Sequence, residues 1–180
     1  MGLTLTIELP DLDQCRDEIS RRWEEVCADD NYHQFDGRVE TDRYGRVLLN
    51  PPPGYIHGYR ANRIARLLEG LLGPVVIVEC PVLTVDGVKA ADVAHYLPDD
   101  FRSLGEGSLP HLPPQICVEV LSSSNRPSEI AEKIAADLAA GVREVWVCDT
   151  DESLTFFEQP EVEMTSSALC PSFPSKLPAE

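Results

Sequence analysis

Two carboxylates stand where apolar side chains are expected. The stretch Gln115-Ile116-Cys117-Val118-Glu119-Val120-Leu121 reads as a buried strand with Glu119 in its middle. A glutamate is almost never fully buried alone, so Glu119 needs a cation, a lysine or a metal ion beside it. Upstream, Val88-Lys89-Ala90-Ala91-Asp92-Val93-Ala94 sets Asp92 in a second apolar run. Side chains alternate along a strand, which puts Cys117, Glu119 and Leu121 on one face, and Ala90, Asp92 and Ala94 together on theirs. Small alanines beside Asp92 leave room for a ligand. If both carboxylates point to the same side of adjacent strands, they can share Mg²⁺. That ion takes oxygen ligands, keeps several waters and commonly uses one or two carboxylates with a substrate phosphate. It can polarise a phosphodiester and lower the pKa of a bound water. Lys133, on the helix expected next, is the nearest positive group for the developing charge. Its other reading is a surface ion pair with Glu129, four residues earlier.

The elements that must position these groups follow from periodicity. Ile19, Trp23 and Val26 recur at helical spacing in an acidic segment, 11–28, which Asp11 or Asp13 can cap. Strands are expected over 35–41 and 46–50, then a break at Pro51-Pro52-Pro53-Gly54 and a helix over 59–72. Asp86-Gly87 signals a hairpin between 75–85 and 88–96. Residues 97–114 read as a loop. Strand 115–121, helix 128–140 and strand 144–148 form a βαβ unit, and 154–158 is a further strand. The whole predicts an α/β domain around one mixed sheet. Its parts are an amphipathic helical extension at 1–30, a main domain at 31–160 and a loosely held Pro/Ser-rich tail at 161–180.

Composition bounds the chemistry. With 180 residues and 43% hydrophobic content, the chain is long enough for a real core. Asp and Glu number 31 against 15 Lys and Arg, a net charge of -16, which opposes tight non-specific binding to nucleic acid or anionic membranes. None of the six cysteines forms a CxxC pair, so zinc-ribbon spacing is absent, and a reducing cytoplasm fits best. Met1-Gly2-Leu3-Thr4-Leu5 lacks the basic start of a signal peptide, and no segment is long enough to span a membrane. The turn Ser122-Ser123-Ser124-Asn125 has no base partner for a serine nucleophile and reads as a helix cap. His57 reads as structural. Arg60, Arg63 and Arg66 read as a solvated helix face, or else as a phosphate-contacting one.

Taken in chain order, the acidic residue on a hairpin strand, Glu119 on the next strand and a lysine on the following helix resemble the PD-(D/E)XK nuclease superfamily. The nearer likeness is to its Uma-two family of restriction-endonuclease-like proteins. It is carried by Phe35-Asp36-Gly37-Arg38-Val39-Glu40, Pro51-Pro52-Pro53-Gly54 with His57-Gly58, Ala91-Asp92-Val93, Val118-Glu119-Val120-Leu121-Ser122, Ile130-Ala131-Glu132-Lys133 and Gly141-Val142-Arg143-Glu144-Val145-Trp146. Ala91 stands where the family has proline. Leu121 stands where the wider superfamily has its lysine, a role this branch gives to the helix. The resemblance implies a restriction-endonuclease-like fold, a central mixed β-sheet flanked by helices with an N-terminal helix. It further implies Mg²⁺ (or Mn²⁺) on Asp92 and Glu119, Lys133 as catalytic lysine and Glu40 as accessory acid. The expected substrate is DNA and the expected state a homodimer or higher homo-oligomer. Against the nuclease stand two other expectations: a non-catalytic oligomeric binding module that keeps the fold, and a metal-dependent hydrolase of a small phosphorylated compound.

Overall fold

Alternating and amphipathic patterns account for most elements of the chain. The computed structural model describes residues 12–179, so the Asp11 cap and the Met1–Leu5 segment lie outside the described residues. The elements run α1 (Leu12–Cys27), α2 (Asp30–His33), β1 (Arg38–Thr41), β2 (Val47–Asn50), α3 (Tyr55–Leu72), β3 (Val76–Thr84) and β4 (Gly87–His95). They continue with α4 (Pro98–Ser103), β5 (Ile116–Val120), α5 (Pro127–Ala139), β6 (Glu144–Cys148), β7 (Leu154–Gln159) and β8 (Val162–Met164). The stretch expected to be all loop after β4 contains α4, which Pro98 opens with Asp99 and Asp100 in its first turn.

β3 to β8 form one six-stranded sheet in sequence order. Only β5 and β6 run parallel, joined by α5 as the βαβ pattern requires; the other pairs are antiparallel, so the sheet is mixed. This is the central mixed sheet expected, and β1 and β2 do not join it. They form a separate two-stranded ribbon. Side chains hold that ribbon on β4: the Val88 N–H donates to Thr41 Oγ1 at 2.9 Å, and the Ala90 N–H donates to Glu40 Oε1 at 3.0 Å. The approach is close enough that a Cβ on Gly87, whose φ is +96°, would stand 2.5 Å from the Thr41 carbonyl oxygen. Only glycine fits there.

Alternate residues of β5 divide the core. Ile116, Val118 and Val120 pack with Ile64 and Leu68 of α3 and with Trp146 and Phe156. Cys117 packs on the other face with Ile134 of α5, Val145 and Phe157. Ile19, Trp23 and Val26 of α1 close the far end of the β3–β4 hairpin against Leu83, Val85 and Val88.

The tail is not loose. Residues 161–179 begin with β8 and then bury Cys170, Phe173 and Leu177 in the α3-side core. The ring of Phe173 lies 4.6 Å from that of Trp146, centroid to centroid. Pro and Ser made this segment read as a free loop, yet its three spaced apolar residues cover a sheet face that α3 leaves open. Arg60 and Arg63 serve the same closure rather than a solvated face. Arg60 donates to the Thr150 carbonyl at 2.5 Å, and Arg63 reaches Glu152 Oε2 at 3.1 Å and the Pro178 carbonyl.

Candidate active site

The site forms where β4 and β5 part. Their ladder pairs His95 with Ile116, Ala94 with Cys117 and Val93 with Val118, and goes no further. The next residues are Asp92 and Glu119. In place of a backbone carbonyl, Asp92 Oδ2 accepts the Val120 N–H at 2.7 Å. A carboxylate thus wedges the two strands apart and is itself 2% exposed. This rules out the turn-capping role an aspartate beside a hairpin could have had.

The kink has a counterpart on β3. Val78 pairs with Val93 and Cys80 with Ala91, but Glu79 and Asp92 between them do not pair. Glu79 has φ +52°, a left-handed conformation costing about 1–2 kcal/mol for a non-glycine residue. Strict alternation fails here too. Ala91 and Ala94 pack on the α5 side while Val93 packs on the α3 side, so the expected shared face of Ala90, Asp92 and Ala94 is interrupted. The distortion turns Glu79 toward Arg38, which donates to it in bidentate fashion at 2.7 and 2.8 Å and reaches Asp92 Oδ1 at 2.5 Å. Such paired, charge-assisted bonds offset the backbone strain and fix Asp92 from β1.

Lys133 points inward. Glu129, the surface partner considered for it, instead lies 3.9 Å from Arg126 Nε. Lys133 Nζ donates to Glu119 Oε2 at 2.6 Å and to the Ala90 carbonyl at 2.8 Å. Glu119 is 5% exposed. Burial drives its carboxyl well above the usual range and Lys133 pulls it back. Burial would lower the Lys133 ammonium, but the charges of Glu119, Asp92, Asp137 and Glu40 outweigh this and raise it. With several acids around one amine, the amine keeps its proton.

Asp92, Glu119, Lys133 and Glu40, the four residues singled out in the sequence, line one cavity of about 480 Å³. Pro51-Pro52-Pro53-Gly54 and His57 at the start of α3 form another part of its wall. Sequence reasoning missed two cavity residues. His57 Nε2 lies 3.2 Å from Asp92 Oδ2, so it belongs to the site. Arg38 had one local signal, its two-residue spacing from Glu40 in a strand, which puts both on one face. The Ser122–Asn125 turn does not cap α5. Asn125 Oδ1 accepts the Ser122 N–H at 2.7 Å and closes the turn on itself.

Which atoms are left for a ligand is a matter of counting. Glu119 Oε1 is buried and has no hydrogen-bond partner. An acceptor oxygen in that state needs a cation or a donor. Asp92 and Glu119 offer hard oxygen ligands suited to Mg²⁺ or Mn²⁺. Among the described residues no group of three or more His, Cys, Asp or Glu side chains forms a fuller metal cage. The donor set therefore fits an ion that rests on two carboxylates and keeps water. None of the six cysteines, all within the described residues, is in a disulfide.

Behind the cavity, Asp137 on α5 is 1% exposed and neither of its oxygens has a partner. It was legible as an acid three residues after the core residue Ile134, but was passed over. Burial pushes its carboxyl up to about 6, with Lys133 opposing. A raised folded pKa gives stability that is complete below the unfolded value and is lost as pH rises through about 6. The neutral Asp137→Asn variant is thus expected to be about 3 kcal/mol more stable than the parent at pH 8, an advantage that roughly halves at pH 5. Urea denaturation at the two pH values measures this.

A six-stranded mixed sheet between helices, with a carboxylate cavity where two strands part, defines a nuclease-like α/β fold. The chain belongs to the Uma2 family, described as "Putative restriction endonuclease", whose pattern matches residues 29–175. Among solved structures it is similar to a "putative nuclease belonging to DUF820" from Anabaena variabilis ATCC 29413. The two share 13% sequence identity with a TM-score of 0.59, over 75% of this chain and 81% of the other, a likeness of fold. No curated protein matches the chain. Among the described residues no helix is long and apolar enough to cross a membrane.

Proposed function

We propose that this protein is a Mg²⁺- or Mn²⁺-dependent endonuclease that hydrolyses DNA phosphodiester bonds, with Asp92 and Glu119 as metal ligands. The observation that supports it best is the unpartnered, buried Glu119 Oε1, in one cavity with Asp92 and with the Lys133 ammonium on the other oxygen. When bound, the ion polarises the phosphodiester and makes a water more acidic. Lys133 holds a proton at Nζ, 2.6 Å from Glu119, where it orients the attacking water and offsets charge gained by the phosphate. Arg38 fixes Asp92 through Oδ1, and His57 Nε2 lies 3.2 Å from Oδ2. Glu40 is the accessory acid: Oε1 is held by the Ala90 N–H, while Oε2 has only a weak donor, Asn50 at 3.4 Å.

The net charge of -16 restricts the substrate contact to this local set of cations. The same reading carries a homo-oligomer. Its activity is tested by incubating supercoiled plasmid with Mg²⁺ or Mn²⁺, with a chelator control. The parent protein is expected to nick or linearise the plasmid and Glu119→Ala to leave it intact. Equal cutting by both, or none by the parent, overturns the proposal.

A further inference from the structure

A second groove adjoins the site. It is larger, about 570 Å³, and lies between α5 and the β7–β8 hairpin. Leu121, Ser122, Asn125 and Ile130 line both spaces, so the groove and the cavity are neighbours. The groove has an apolar floor. Ile134 and Phe157 contribute to that floor and belong to the α5-side core.

We infer that this groove is a nucleobase slot, seating an unpaired base beside the phosphate that an ion on Asp92 and Glu119 would hold; the inference rests on the nuclease reading above. Charge decides the occupant. Asp149, Glu161 and Glu163 stand on the groove against a single arginine, Arg126. A phosphate entering there meets like charge, whereas a base is neutral and flat and gains from the apolar floor. The lining groups of Asn125 and Thr150 supply the few polar contacts a base edge takes. In a duplex the base is paired and stacked, and cannot reach a slot beside its own phosphate. The substrate form is therefore a single strand, or a duplex where it opens transiently, as a supercoiled plasmid does.

The test reads binding without cleavage. Fluorescence anisotropy with Ca²⁺ in place of Mg²⁺ compares a labelled ten-residue oligothymidylate with a ten-residue abasic strand of the same charge. The parent protein is expected to bind the first at least about tenfold more tightly, the scale of one stacked base. Ala131→Trp places an indole in the groove from an exposed position on α5, and is expected to abolish the difference. Equal binding of the two strands by the parent, or a difference that survives Ala131→Trp, overturns the slot. A groove covered by a second copy of the chain also overturns it, and would show as association that Ala131→Trp disrupts in sedimentation. Failure of the nuclease reading is separate: it appears as base-dependent binding with no cleavage when Mg²⁺ replaces Ca²⁺.

Discussion

Lys133→Met is expected to destabilise the protein by about 3–5 kcal/mol, because it leaves Glu119 buried with neither oxygen partnered. Denaturant titration measures this without reference to function. The loss should be greater at pH 8 than at pH 5. Burial raises the Glu119 carboxyl and the ammonium opposes this, so its loss raises the carboxyl further, and a raised folded pKa takes stability away as pH rises. Pairing the change with Glu119→Leu removes both charges and should recover much of the stability. Under the proposed nuclease function, cleavage is expected to fall roughly 10²–10³-fold in both variants, the scale of one lost preorganised donor. A Lys133→Met protein as stable as the parent at pH 8 would show that the pair contributes nothing to the fold.

The second large effect lies away from the site. Glu144 is fully buried, and its carboxylate accepts four hydrogen bonds. Oε2 takes Trp146 Nε1 at 2.7 Å and Ser167 Oγ at 2.6 Å; Oε1 takes the Ala168 and Leu169 N–H groups at 2.8 and 2.7 Å. Three of the four donors come from the tail, so this one side chain ties the tail to β6. Each donor left unsatisfied costs about 1–3 kcal/mol. Glu144→Ala is therefore expected to lose at least about 4 kcal/mol, and to expose the tail to protease before the rest of the chain. Proteolysis that spares the tail, with an unchanged denaturation midpoint, would contradict the anchoring role.

The sequence made some of this legible and hid the rest for physical reasons. Glu119 is visible because a charge in a β-branched run demands a partner, and β5–α5–β6 follows from local periodicity. The direction of Lys133 is not visible locally, since Glu129 offers a surface pair at ideal spacing. Only the packing of α5 on β5 decides between the two. Arg38 contacts residues 41 and 54 positions away, and nothing in the local pattern encodes that. The tail misled through composition: Ser and Pro signal loop, while Phe173 and Leu177 act only against a sheet face assembled elsewhere. The resemblance, by contrast, located the family over most of the chain.

Calorimetric titration with Mn²⁺ bears most directly on the paired carboxylates. The parent chain is expected to bind one ion, and Asp92→Asn and Glu119→Gln, each verified as folded by circular dichroism, to bind it at least about tenfold more weakly. Unchanged affinity in both folded variants would contradict the account, since the ion would then rest on other atoms.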